Sequence, residues 1–163
     1  FEALNKKGNR PSRYTEAIAR VREHGIDFST EMIVGADGDD DRFAEKAFRF
    51  IMDHRIALPR VHILTPVPGT PMWDAMVEEG RIVSADYKLF SGSEVIYEPR
   101  DLDADALSRG FWQLSDQLFT WKSIRRRMSA LPNGFGTLMR AFILGANLQY
   151  RWHVRQRISP GMV

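Results

Sequence analysis

Apolar residues recur at helical spacing at Tyr14, Ala17, Ile18 and Val21, and Gly25 closes that stretch, so a first helix is expected there with Ser12 as its N-cap. Residues 26–34 change period. They are rich in β-branched residues, end at Gly35 and read as a strand. Alternation puts Phe28, Thr30, Met32 and Val34 on one face and Ser29, Glu31, Ile33 and Gly35 on the other. A second helix follows over residues 41–54, with Phe43, Ala47, Phe50 and Ile51 on one side, and a second strand over residues 60–65. Residues 64–71, Leu-Thr-Pro-Val-Pro-Gly-Thr-Pro, then form a stiff loop, since three prolines fix φ and remove donors. Thr70 suits an N-cap and Pro71 the first helical position, and Met72, Trp73, Met76 and Val77 supply an apolar face before Gly80.

This alternation of helix and strand predicts βαβ units, a parallel sheet and an α/β fold. Its two strand-to-helix loops lie at the C-terminal ends of their strands, where ligand sites of such folds gather. Glu31 is then the anomaly. A carboxylate amid an apolar parallel strand points to a barrel interior or to a paired charge such as an arginine.

After Gly80 the pattern becomes mainly helical. A β-like piece covers residues 94–97. Asp101 or Asp103 can cap a long helix with Leu107, Phe111, Leu114, Leu118 and Trp121 facing inward. The break Pro132-Asn133-Gly134 precedes a last helix over residues 135–157, with Leu138, Phe142, Leu148 and Trp152 among its apolar positions. Arg140 and Arg151 leave it too polar to span a membrane, although it can lie on a membrane surface or dock on the body.

The net charge of +2 conceals a split. Through Asp116 the chain has 15 basic and 21 acidic residues; beyond it there are eight basic residues and no acid. The tail is expected to pack on the acidic body or meet an anionic partner. Cysteine is absent, which excludes disulfides and thiolate metal sites. The run Asp37-Gly38-Asp39-Asp40-Asp41 reads as a turn and a helix N-terminus. It is not a calcium loop, because the position that needs Glu is Phe48. No Gly-x-Ser-x-Gly elbow, His-Glu-x-x-His pair or phosphate loop supports a hydrolase reading.

Four stretches together resemble the C-terminal half of a cobalamin-binding-type radical SAM protein. Leu4-Asn5-Lys6-Lys7 resembles the segment after the fourth barrel strand. Residues 33–39 resemble the fifth strand and its loop, and residues 64–71 the sixth. Glu98-Pro99-Arg100 and the helix after Asp103 resemble the family's C-terminal extension. The resemblance implies the second half of a partial (β/α)6 barrel over residues 1–80, followed by a mainly helical extension over residues 81–163. It implies S-adenosylmethionine and a [4Fe–4S] cluster in the full-length parent, with cobalamin as a further candidate cofactor. There the cluster sits on a Cys-x-x-x-Cys-x-x-Cys loop and cleaves the sulfonium to a radical that abstracts hydrogen, for methyl transfer or C–H functionalisation.

The family's fifth-strand pattern Gly-x-Ile-x-Gly-x-x-Glu is matched here at Ile33 and Gly35, and not at Glu31 or Gly38. The resemblance makes Ile33, Gly35, Thr65 and Pro66 candidate cofactor contacts, and Glu31 and His62 candidates to face substrate or ribose. With no cysteine the chain has no cluster loop, and the resemblance assigns it no metal ligand and no catalytic residue. It is expected to be cut from something longer, inactive alone, and partnered by a missing N-terminal half that carries the cluster. A small-molecule or lipid substrate, a cytoplasmic location and contact with a membrane surface are expected, and nucleic acid is disfavoured. The alternative is a non-catalytic interaction module whose basic helical tail binds an anionic partner.

Overall fold

Two six-residue strands, β1 (Ser29–Val34) and β2 (Leu58–Ile63), pair in parallel, with Ser29 opposite Leu58 and Val34 opposite Ile63. The computed structural model describes residues 13–160. The candidate cap Ser12 and the Leu4-Asn5-Lys6-Lys7 stretch lie outside these residues. Around the sheet run six helices: α1 (Tyr14–Glu23), α2 (Phe43–Asp53), α3 (Pro71–Glu78), α4 (Ala104–Leu118), α5 (Trp121–Met128) and α6 (Thr137–Arg155). The fold is mixed α/β.

Local signals set most boundaries. Thr70 Oγ1 accepts the Trp73 N–H at 3.3 Å, and Pro71 opens α3. Asp103, and not Asp101, caps α4, its Oδ1 accepting the Ala106 N–H at 2.8 Å. Thr120 caps α5 in the same way through the Ser123 N–H. That cap divides the single long helix expected here: α4 ends at Leu118, and Trp121 opens α5 exposed to solvent instead of facing inward. Residues 94–97 form no strand; Tyr97 makes an isolated antiparallel bridge with Ile82.

One face of the sheet is packed; on the other, Glu31 and Ile33 of β1 are exposed and Arg60 and His62 of β2 are half-buried. Val34, Val61 and Ile63 point into a core shared with Phe43, Ala47 and Ile51 of α2 and with Leu107, Phe111, Leu114 and Leu118 of α4. Residues on both sides of Gly80 build this core. The helices α2 and α4 approach closely at Gly110, where a Cβ would come within 2.6 Å of the Phe43 ring. The β1 strand hydrogen-bonds β2 on one side, and among the described residues nothing pairs with its other edge. At the far edge of β2 the Ile63 N–H donates to the Gly92 carbonyl at 2.7 Å. The α1 helix buries no residue and is held mainly by Arg22, which donates to the His54 and Arg55 carbonyls at the end of α2.

The basic tail docks by arginine-to-carbonyl bonds more than by ion pairs. Arg127 is fully buried and donates to the carbonyls of Ile56 (3.2 Å), Ala57 (2.8 Å) and Leu118 (2.9 Å) and to Asn147 Oδ1 (3.0 Å). Arg151 donates to the Phe119 carbonyl and Arg140 to those of Phe135 and Pro132. Among the described residues, only Arg157 with Asp116 (3.1 Å) and Arg126 with Asp53 (3.9 Å) meet acids of the body. Burial pulls the Arg127 guanidinium down to about 10, since nothing anionic offsets its desolvation.

Candidate functional site

The parallel register brings four sequence-distant side chains together on the open face of the sheet. Glu31 lies opposite Arg60, and Ile33 lies opposite His62. Arg60 forms an ion pair with Glu31 at 2.5 Å, and His62 Nε2 meets Glu31 Oε2 at 2.9 Å. The carboxylate that alternation singled out is thus a paired charge on the unpacked face. Strand periodicity alone puts Arg60 and His62 on one side of β2; it takes the register to set Glu31 between them.

His62 is held from two directions. A carboxylate only accepts, so Nε2 carries the proton toward Glu31, and Nδ1 accepts from Ser159 Oγ at 3.2 Å. Ser159, Gly92 and Arg60 were absent from the residues that the sequence singles out, because nothing local marks them. Ser159–His62–Glu31 has the bond order of a nucleophile, base and orienting acid. Ser159, however, is only 2% exposed, so this chain of bonds fixes the imidazole and presents no nucleophile.

At the C-terminal ends of the strands the loops are braced. Gly35 has φ +86° and its N–H donates to Asp39 Oδ2 at 2.8 Å, while its carbonyl accepts the Tyr97 hydroxyl. Both polar backbone atoms of Gly35 are therefore occupied. A Cβ there would lie 2.5 Å from Tyr97 Oη and 2.6 Å from Leu107 Cδ2. Thr65 Oγ1 donates to the Ile63 carbonyl at 3.2 Å, and Pro66 is buried. Ile33 is 44% exposed on the open face, one strand position from this rim. The candidate residues Glu31, Ile33 and His62 share the open face, and Gly35, Thr65 and Pro66 share the end of the sheet.

The acidic turn braces the loop and lies ahead of α2, which starts only at Phe43 with Arg42 at its cap. Arg81 forks onto Asp37 at 2.7 and 3.1 Å, reaches Glu79 at 3.1 Å and donates Nε–H to the Glu98 carbonyl at 2.7 Å. Arg100 also contacts Asp37 (3.2 Å) and Glu79. The Gly38 N–H donates to Asp101 Oδ2 at 2.9 Å. The bonds to Asp37 hold the Arg81 guanidinium above its usual value. Residues 79–81 after α3 and residues 98–101 before α4 thus brace the first strand-to-helix loop. Among the described residues no group of His, Cys, Asp and Glu is arranged to hold a metal ion.

Burial, with Asp37 nearby, pushes the Tyr97 phenol well above its ordinary value of 10.0. In the unfolded chain the phenol ionises near that ordinary value, while the folded chain keeps its proton. The stability due to Tyr97 is complete below about pH 10 and lost as pH rises beyond it. In urea titrations, the advantage of wild type over Tyr97→Phe is expected to shrink by about 1.4 kcal/mol per pH unit above about pH 10. A constant difference between the two would show that the phenol ionises equally in both states.

The chain is 28% identical over 132 residues to the bacteriochlorophyllide d C-12(1)-methyltransferase of Chlorobaculum tepidum, a match covering 81% of this chain and 28% of that protein. It is 31% identical over 86 residues to the hopanoid C-2 methylase of Rhodopseudomonas palustris, covering 53% of this chain and 16% of that one. Against the bacteriochlorophyllide d C-8(2)-methyltransferase of Chlorobaculum tepidum it is 25% identical over 172 residues, covering 100% of this chain and 37% of the relative. The chain thus spans well under half the length of each of these relatives. No family model matches it.

Proposed function

We propose that this chain is the C-terminal part of a radical SAM methyltransferase, supplying barrel strands five and six and the helical extension that braces them. The observation that carries this reading is the one-sided sheet. One face packs on the core through Val34, Val61 and Ile63, the other carries Glu31, Arg60, Ile33 and His62, and β1 offers a free edge on the side where preceding strands would pair. The three relatives, each named for methyl transfer, support the reaction class.

The residues fit the two kinds of cofactor differently. A chain with no cysteine cannot ligate a [4Fe–4S] cluster, so the cluster belongs to an N-terminal half, and this chain is inactive alone. S-adenosylmethionine fits better. Ile33 gives an exposed apolar surface for a flat base beside the glycine rim, and the backbone near Thr65 and Pro66 lies at the same end of the sheet. Bound there, the sulfonium is the source of the methyl group or of the radical. The chain's own part is to orient it and to aim the Glu31–His62 pair toward ribose or substrate. A small-molecule or lipid substrate suits the open face. Cobalamin is proposed only as a cofactor of the parent.

The test joins this chain to the polypeptide encoded directly upstream of Phe1. The frame is expected to continue through a Cys-x-x-x-Cys-x-x-Cys loop. The joined protein, reconstituted anaerobically with iron and sulfide, is expected to cleave S-adenosylmethionine to 5′-deoxyadenosine or transfer its methyl group. Ile33→Asp should weaken S-adenosylmethionine binding about tenfold, the factor of one lost apolar contact area, without changing iron content. A start codon or unrelated frame upstream would overturn the reading and leave the basic-tailed interaction module in its place.

A further inference from the structure

The α6 helix has two apolar faces and the fold uses one. Ile143, Asn147 and Val154 turn toward the body and are buried. On the opposite side Leu138 is 86% exposed, Phe142 66% and Trp152 57%, with Leu148 between them. At 3.6 residues per turn these four fall within roughly a third of the helix circumference. Trp121, also exposed, joins their flank through Arg151, whose guanidinium lies 5.8 Å from the Trp121 ring centre. No helix among the described residues is long and apolar enough to cross a membrane, so this stripe is not a buried span.

The charge of the tail points to what covers it. Most tail arginines are consumed by backbone carbonyls or by Asp53 and Asp116. Lys122, Arg125 and Arg155 are exposed, and among the described residues they meet no carboxylate. The sequence beyond Asp116 holds no acid at all. A second copy of the chain would bring two such tails together, and like charges would oppose the contact. An anionic bilayer supplies the complementary charge and an apolar layer, and indole rings favour the boundary between them.

We infer that α6 lies in the surface of an anionic membrane, with Leu138, Phe142, Leu148 and Trp152 in the acyl boundary and Lys122, Arg125 and Arg155 among the headgroups. This inference is independent of the methyltransferase reading. The test is co-sedimentation of the full chain with phosphatidylcholine vesicles and with vesicles in which phosphatidylglycerol replaces part of that lipid. Binding to the anionic vesicles is expected, with brominated acyl chains quenching tryptophan emission. Phe142→Gln with Trp152→Gln should weaken it about tenfold per side chain. Lys122→Gln, Arg125→Gln and Arg155→Gln should each weaken it about fivefold on anionic vesicles and leave the neutral ones unchanged. All five positions are exposed, so far-ultraviolet circular dichroism should not change. Absence of wild-type binding, or binding indifferent to the Phe142 and Trp152 substitutions, would overturn the inference. So would a vesicle-free dimer, seen by sedimentation, that the same two substitutions dissolve.

Discussion

Arg127→Ala is expected to destabilise the full chain by at least about 3 kcal/mol in urea unfolding, the largest effect of any single truncation in the tail. The guanidinium is fully buried and satisfies the carbonyls of Ile56, Ala57 and Leu118 and the side chain of Asn147. It thereby joins the entry of β2, the end of α4, the α5 helix and the middle of α6. Alanine removes the donors and leaves these acceptors inside, where each unpaired group costs about 1–3 kcal/mol. Among the described residues the Ala57 carbonyl alone keeps a partner, the Asn147 side-chain amide at 3.0 Å. The adjacent Arg126 is exposed and reaches Asp53 at only 3.9 Å, so Arg126→Ala should cost less than about 0.5 kcal/mol. Lysine at position 127 should recover little, because a point charge cannot fork to four acceptors. Equal costs for Arg126→Ala and Arg127→Ala would show that the tail is held by apolar packing alone.

The second large effect is expected at Gly35. Gly35→Ala places a methyl group 2.5 Å from Tyr97 Oη and 2.6 Å from Leu107 Cδ2, at a φ of +86°. Strain and overpacking together should cost about 3 kcal/mol. Gly38→Ala is the control, since its φ is +91° and no atom lies within 4 Å of the added methyl. It should cost only about 1 kcal/mol, the conformational part. Adding Tyr97→Phe and Leu107→Ala to Gly35→Ala should give a smaller loss than the sum of the separate changes, as expected for groups in contact. Strict additivity would mean that the rim relaxes and that Gly35 is required for its backbone angle only.

These two residues also mark where reading the chain as a string stops. Arg127 sits in a run of three arginines, and such a run reads as a solvated face. Nothing in the run distinguishes the buried member from its two exposed neighbours, because the distinction depends on carbonyls 70 and 71 residues away in sequence. Tyr97 and Gly35 are likewise 62 residues apart. The β-like residues around Tyr97 do not make a strand because their use is a hydroxyl bond and a single bridge.

What the sequence determined by itself is the local layer. Thr70 and Pro71 start their helix, Gly80 closes it, and strand alternation separates Val34 from Ile33 and Glu31. Each of these depends on backbone sterics and on hydrogen bonds within a few residues, so neighbours along the chain suffice. Asp101 and Asp103, by contrast, are equally placed in the sequence to cap α4, and the structure chooses Asp103. Only the tertiary structure decided which partner Glu31 takes, that Ser159 returns to His62, and that Thr120 breaks the long helix while Trp121 turns outward. It also decided which apolar stripe of α6 is buried. Ile143 and Val154 lie on one side of that helix and Leu138, Phe142 and Leu148 on the other, and periodicity alone cannot choose between them. The choice falls to Arg127 and Asn147, whose bonds to the start of β2 turn one face inward and leave Phe142 and Trp152 at the surface.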